Sequence, residues 1–337
     1  MKRSVDDILR SIKPFKSQKA YEKAYTEFKK YIGKEEKPDE HDFIQYFDHL
    51  KNTKGFASSS IWSHYSMLNN MHQTLYGEKL QKYPRITHIL KSYEAGYVRK
   101  SSLFFTKQQI MEFLKNAPNT GEFIHIKAAV VIGYCGGLRC ADMVGLKTED
   151  CTFDETSGMW IDYNVSKQRG EAIRNKFNVP LEYCGFLEAY DHELFRCQAN
   201  EGRLFKTYRI RNDGTAYYTK QPMGIHFLSK INSKVANFLK LPNPERYTGH
   251  CFRRSSANAL AEAGCSTTAL KKHFNWQNEA TALRYVENTK NAKLAISDKI
   301  ASSSSSMTTM VSGLQTEERS ETKVLNLTNC QNIVINF

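Results

Sequence analysis

The sequence predicts a mainly α-helical protein with two domains. An all-helical domain covers residues 1–98, and a mixed α+β domain with one small antiparallel sheet covers residues 104–298. Three observations predict this. Apolar residues recur at the 3.6-residue helical period through the first hundred positions. Two-residue alternation is confined to short stretches in the middle of the chain. The 337 residues, 40 % of them hydrophobic, suffice for two ordinary cores at about 150 residues per domain. The same composition excludes wholesale disorder.

The elements follow in order. Lys19 to Tyr31 places Tyr21, Tyr25, Phe28 and Tyr31 on one helical face. Asp39 can cap a helix to about Leu50, with Phe43, Tyr46 and Phe47 on one side. Ser58 or Ser59 can cap another, through Ile61, Tyr65, Leu68 and Met71 to Leu75, ended by Gly77. A fourth follows Pro84, through Ile86, Ile89, Leu90 and Tyr93. These aromatic stripes are expected to form a core. Tyr97–Ser102, with Arg99 and Lys100, reads as a linker, centred on residues 99–103.

Thr106 with Gln109 is a capping box ahead of Ile110, Phe113 and Leu114. Phe123 to Cys135 is an apolar helix stopped by Gly136-Gly137. Trp160–Val165 and Ile173–Leu181 alternate as strands around a basic loop, Ser166–Arg174. Leu204–Tyr218 can form a further strand pair turning at Asn212-Asp213-Gly214. From Gly224 to about Asn288 the pattern is helical again. Residues 299–322, with five consecutive serines, read as a flexible linker. Residues 323–337 read as a C-terminal β-strand that needs a partner, either a neighbouring protomer or its own end folded back at Asn329–Asn332.

The formal charge is +13, and residues 1–100 hold 19 basic against 12 acidic side chains. A basic surface on two folded domains suits a polyanion, nucleic acid first among them. No stretch approaches 18 consecutive apolar residues, so no membrane partner is expected. Met1–Lys16 lacks the apolar core of a secretory signal. The eight cysteines form no C-x-x-C pair and no ligand-spaced cluster with histidine. Free thiols in a reducing compartment, with no metal site, are the expectation.

Two segments carry candidate chemistry. In Gly137-Leu-Arg139-Cys-Ala-Asp142, a glycine turn releases an arginine at a helix start, and Asp142 shares its helical face. In Gly249-His250-Cys-Phe-Arg253-Arg254, an imidazole and a guanidinium three apart can hold an anion together. Trp276 and, nine residues later, Tyr285 follow. Singly, each reads as an ordinary helix start or core aromatic.

Together, in this order and on a basic two-domain chain, they resemble the tyrosine recombinases of the phage-integrase family over about residues 104–290. Gly249-His-Cys-Phe-Arg-Arg-Ser-Ser-Ala257 and Leu270-Lys-Lys-His-Phe-Asn-Trp276 look most like the eukaryotic Crypton transposon recombinases, as does the Asn329-Cys-Gln-Asn-Ile333 tail. The resemblance implies a helical core-binding domain and a catalytic domain of the tyrosine-recombinase fold. It implies DNA cleavage and rejoining through a 3′-phosphotyrosyl link, with neither metal nor ATP nor any small-molecule substrate.

It assigns Tyr285 as nucleophile, Arg139 and Arg253 as stabilisers of the phosphorane charge, His250 as general base, and Asp142 as a support behind them. The family's general-acid lysine on the strand turn corresponds to Lys167, with Lys176, Arg169 and Arg174 nearby. Trp276 stands where many members carry a second histidine; His273 is the alternative. Trp276 cannot shuttle a proton, which places more acid–base work on His250 and Lys167. Plausible phosphate contacts are Lys19, Lys23, Lys29, Lys30, Arg85, Arg99, Lys100, Arg169 and Arg174.

Double-stranded DNA, a homo-tetramer on two DNA sites with a traded C-terminal element, and nuclear residence are further implications of the resemblance. Two other readings stay open. One is a domesticated DNA-binding protein that does not cut; the other is a type IB topoisomerase-like enzyme.

Overall fold

The structure, a computed structural model, describes residues 15–97, 101–165, 173–303, 323–325 and 333–335. The periodicity of the first hundred residues becomes four helices: α1 (Phe15–Ile32), α2 (Glu40–Asp48), α3 (Ser58–Tyr76) and α4 (Pro84–Ser92). Asp39 caps α2 as its sequence promises, accepting from the backbone N–H groups of His41 and Asp42, while Asp42 reaches back to the Asp39 N–H. A π-helical turn, His49–Thr53, prolongs α2. The aromatic stripes are core. Phe28 stacks on Phe43 with ring centroids 4.7 Å apart, and Tyr46, Phe47, Ile61, Leu68 and Leu90 close around them. Each fully buried Phe contributes ~1.5–3 kcal/mol by leaving water.

The α3 cap differs from expectation. Ala57 occupies the cap position without a side-chain bond; the Ser58 hydroxyl donates to the Tyr93 carbonyl and Ser59 meets the Tyr97 hydroxyl. The serines tie α3 to the end of the following helix instead of to their own backbone.

The second unit begins with α5 (Lys107–Asn116), capped by the Thr106–Gln109 box, and α6 (Glu122–Cys135), buried along most of its length. The short α7 (Cys140–Gly145) leads into an antiparallel sheet of order β1-β2-β3: Cys151–Asp154, Gly158–Asn164 and Arg174–Val179. Ile161, Tyr163, Phe177 and Val179 face the core. β1 escapes sequence reading because four residues are too few to show alternation. So does α8 (Leu181–Arg196), whose buried Tyr183, Leu187, Tyr190 and Leu194 carry a helical period beneath many charges.

Strands β4 (Lys206–Ile210) and β5 (Ala216–Pro222) form a separate antiparallel pair, so the unit holds two small sheets and not one. Then come α9 (Ile225–Phe238), α10 (Cys251–Glu262), α11 (Thr267–His273), α12 (Glu279–Glu287) and α13 (Lys290–Ser303). Helix α13 occupies the first residues of the expected serine linker. At the C-terminus β6 (Lys323–Leu325) pairs antiparallel with β7 (Ile333–Ile335), the fold-back arrangement of the two that the sequence allows. The anticipated turn at Asn329–Asn332 lies outside the described residues. Among the described residues no helix is long and apolar enough to cross a membrane.

Candidate active site

Gly136-Gly137 shapes the first wall of the site. Gly137 has φ +54°, and a Cβ there would lie 2.0 Å from the Phe274 ring, so only glycine fits. The turn leaves Arg139 at the cap position of α7. Asp142, 1 % exposed, accepts the Arg139 backbone N–H at 3.2 Å and stands 3.7 Å from Arg139 Nη1. One buried carboxylate thus fixes both the backbone and the side chain of the arginine.

The second motif packs against the first. A Cβ on Gly249 would come 3.0 Å from Cys140 Sγ, so the chain ahead of α10 passes directly over the start of α7. His250 stands at the N-cap position of α10, its side chain exposed and making no capping bond. Arg253 is 6 % exposed. Its Nη1 donates to the Gly137 carbonyl at 3.0 Å and its Nη2 to the Phe274 carbonyl. The guanidinium lies 5.2 Å over the Phe274 ring and 5.5 Å over the Trp276 ring. Burial, then the neighbouring Arg139 charge, pull its pKa down to about 10, which leaves it charged at neutral pH.

Trp276 connects the arginine to the tyrosine. It stacks on Phe274 with centroids 4.6 Å apart and on Tyr285 at 5.3 Å, nearly parallel. Tyr285 is half-buried on α12, whose Ala282 anchors it to the apolar cluster of α10 and α11. His273 turns instead into an apolar cleft of about 480 Å³ lined by Cys135, Leu260, Leu270 and Tyr183. Burial lowers its pKa. The structure therefore brings Arg139, Asp142, Arg253, Trp276 and Tyr285 together, sets His250 three residues before Arg253 at the start of α10, and turns His273 into the cleft.

Two residues of this neighbourhood were missed in the sequence. Tyr163 is buried on β2 close to both arginines and Asp142, and burial raises its pKa. Asn175, opposite it on β3, donates to the Tyr163 hydroxyl at 3.4 Å and to the His273 carbonyl at 3.1 Å. The inward alternation of Ile161 and Tyr163 signals the tyrosine; nothing in the sequence marks the asparagine. Asn164 pairs with Arg174, so the chain leaves and re-enters the sheet beside this pair. Lys167 and Arg169 on that connection, and Arg99 and Lys100 before α5, lie outside the described residues.

The remaining cations are placed individually. Lys19, Lys23 and Lys30 are exposed on one face of α1, Lys23 standing 3.9 Å from Glu27. Lys29 donates to the Glu36 carbonyl at 2.9 Å. Arg85 is bound by Glu40, Arg174 by Asp162, and Lys176 lies 4.8 Å over the Trp160 ring. Among the described residues no His/Cys/Asp/Glu group is arranged to hold a metal ion.

Comparison with known proteins gives consistent likenesses. Residues 104–292 match the phage integrase family. The tyrosine recombinase XerD of Rickettsia prowazekii is 23 % identical over 245 residues, 66 % of this chain and 75 % of that protein. The Tn1549 transposon integrase, solved with circular intermediate DNA, superposes with a TM-score of 0.61 at 16 % identity, covering 86 % of this chain and 96 % of that one. A lambda integrase dimer bound to a COC′ core site superposes at 0.51 and 12 % identity, covering 85 % and 93 %. The two structural likenesses establish the fold.

Proposed function

The chain belongs to the phage integrase family, and we propose that it is a site-specific DNA recombinase using Tyr285 as nucleophile. The observation that carries this reading is the buried Arg253 guanidinium. Two neutral carbonyls orient it without cancelling its charge, beside Arg139 and over the Trp276 ring, on which Tyr285 in turn stacks. Such a pocket is built for a phosphodiester.

The Tyr285 oxygen attacks the DNA phosphorus, its proton passing to His250. The P–O5′ bond breaks, and the leaving 5′-oxygen takes a proton from Lys167. Arg139 and Arg253 hold the non-bridging oxygens as charge builds on them. Free phenol at pKa ~10 is only about 0.1 % ionised near pH 7, so a base is needed. The 3′-phosphotyrosyl diester conserves the bond energy, and the 5′-hydroxyl reverses the step without ATP.

The finer reading is a transposon recombinase of the Crypton type, resident in the nucleus and acting as a tetramer on two sites. The Gly249–Ala257 and Leu270–Trp276 wording supports the type. Exchange of a C-terminal element between protomers rests on the serine-rich run ahead of residues 323–337, while the β6–β7 pairing within the chain favours the tail folded back on itself. Deletion of residues 320–337 weakens assembly on paired sites if the element is exchanged and leaves it unchanged if it folds back. The domain reading accompanies it: residues 1–98 bind one face of the duplex, 99–103 link, and 104–298 cut.

The deciding experiment is a trap with nicked duplexes from the flanks of the encoding element, resolved on a denaturing gel. A covalent adduct from wild type and none from Tyr285→Phe is expected. Adduct from Tyr285→Phe, or DNA binding without adduct from wild type, would sink the nucleophile assignment. Relaxation of a plasmid lacking the site would favour topoisomerase-like chemistry.

A further inference from the structure

Arg254 follows Arg253 at the start of α10 in a basic protein, a position that invites a second phosphate contact. Its side chain goes elsewhere. It donates to the Ser102 carbonyl and lies 5.4 Å over the Phe104 ring. The whole segment before α5 is stitched to the same turn. The Leu103 N–H donates to the Arg246 carbonyl at 2.9 Å, and Arg246 Nη2 donates to the Ser101 carbonyl at 3.3 Å. The Ser102 hydroxyl proton is shared between the Leu103 carbonyl at 3.0 Å and the Arg246 carbonyl at 3.2 Å, and its oxygen accepts the Thr248 N–H at 3.3 Å. The Phe105 N–H donates to Ser255 Oγ at 2.8 Å, and its ring stacks on Tyr247 at 4.7 Å.

Residues 101–105 therefore run along residues 246–255, bonding on both sides of His250 and Arg253 across some 145 residues of sequence. The other end of the linker is also tied, Tyr97 to Ser59 at 3.0 Å. Only residues 98–100 separate the two ties in the chain.

We propose that residues 101–105 are a strap that sets the His250–Arg253 turn for chemistry, with Arg254 as its clasp. Arg254 is then a positioning residue, and the linker shapes the site as well as joining two units. The proposal rests on the recombinase reading of His250 and Arg253. Catalytic groups must be held to about half an ångström, and a misplacement of about 1 Å can cost ~10² in rate. Partial release of the turn is worth about tenfold by the same scale.

The test uses full-length protein in excess over the nicked duplex, following the rate constant of adduct formation, its end-point, and DNA affinity against salt. Arg254→Ala is expected to lower the rate constant about tenfold at saturating protein, with end-point, affinity and salt slope unchanged. Arg254→Lys, which keeps one donor, recovers part of the rate. Ser102→Ala removes the hydroxyl bonds and keeps the carbonyl; its effect is smaller, and the double variant loses less than the product of the two.

A phosphate contact would instead weaken binding and reduce the salt slope by about one, with a normal rate at saturation, and would overturn the strap. A reduced end-point at normal rate would reduce Arg254 to a fold-stability role and overturn it too. A normal wild-type adduct with an unchanged Arg254→Ala rate overturns the strap alone. No wild-type adduct, or one that survives Tyr285→Phe, overturns the recombinase reading and the strap with it.

Discussion

Arg85 in the first helical unit and Arg253 in the second are both held by oxygen, with opposite consequences. Arg85 is exposed, and Glu40 grips it through Nε at 2.8 Å and through Nη2. Arg253 is buried and gripped by the carbonyls of Gly137 and Phe274. A carboxylate neutralises the cation it orients; a carbonyl orients it and leaves the charge intact. The same contrast runs through the two regions. The first unit's lysines are tied into carboxylate pairs such as Lys34 with the buried Asp42 at 2.8 Å and Lys37 with Glu78 at 2.7 Å. The second gathers two guanidiniums around one carboxylate. Charge counted along a sequence does not locate positive potential; the partner of each cation does.

The largest expected effect breaks that contrast at its strong end. Arg253→Ala should lower the rate of adduct formation by about 10²–10³, the scale for removing one oxyanion donor. Arg253→Lys should not restore it, because one ammonium cannot span two carbonyls and a phosphate. Both are read from single-turnover adduct formation at saturating DNA. A similar rate loss in Arg85→Ala would mean that the kind of partner does not matter.

Histidines repeat the comparison with pH as the probe. His250 is exposed at a helix start, whereas His125 in α6 and His72 in α3 are buried. Burial first and Lys234 second pull the His125 pKa down to about 4. Burial, and the Lys37 charge after it, lower that of His72. The unfolded chain takes these protons near pH ~6.5 and the folded chain resists them, so stability is whole above that pH and drains as pH falls. For His125 the loss reaches about 3 kcal/mol near pH 4. His125→Gln keeps a partner for the Tyr218 hydroxyl and should flatten the fall of the urea midpoint between pH 7.5 and 5. A slope as steep as wild type would place the titration elsewhere.

A subtler effect is expected where the two motifs touch. Gly249 carries no positive φ, and alanine there has one tight contact, Cys140 Sγ at 3.0 Å, with Cys140 Cβ and Ser229 Cβ at ordinary distances of 3.5 and 3.7 Å. A shift of a few tenths of an ångström should cost about tenfold in adduct rate with little change in DNA affinity. Cys140→Ala opens the space, and the double variant should regain most of the loss. Failure of the second substitution to rescue the first would separate this contact from the geometry of the site.

These contacts show why part of the molecule was legible and part was not. Helices with an apolar face could be read, because the period of 3.6 is written in single positions such as Tyr25, Phe28 and Phe43. The Gly136-Gly137 stop, the Thr106 cap and the order Arg139, His250, Arg253, Trp276, Tyr285 were visible for the same local reasons. Asn175 was not, because its role is a bond to the His273 carbonyl, 98 residues away. Nor was Arg254, whose neighbour Arg253 has the same residue type and a different fate. Ser58 was misread as a cap because the competing acceptor, the Tyr93 carbonyl, is a tertiary feature.

The smallest expected effect sharpens the comparison at its weak end. Sequence places Arg85 among the phosphate contacts, with Lys30 beside it in that list. An exposed arginine already neutralised by Glu40 has little charge to offer and loses a bond if it turns to DNA. Lys30 is exposed on the shared face of α1. If α1 meets the duplex, Lys30→Ala should reduce the slope of log K against log salt by about one, while Arg85→Ala leaves it nearly unchanged. Glu40→Gln separates the possible reasons for silence at Arg85. A gain of affinity in Glu40→Gln that Arg85→Ala abolishes would mean that the arginine stands within reach of phosphate and is held back by its carboxylate. No gain would mean that this corner of the first unit faces away from DNA, and the basic surface that matters is α1.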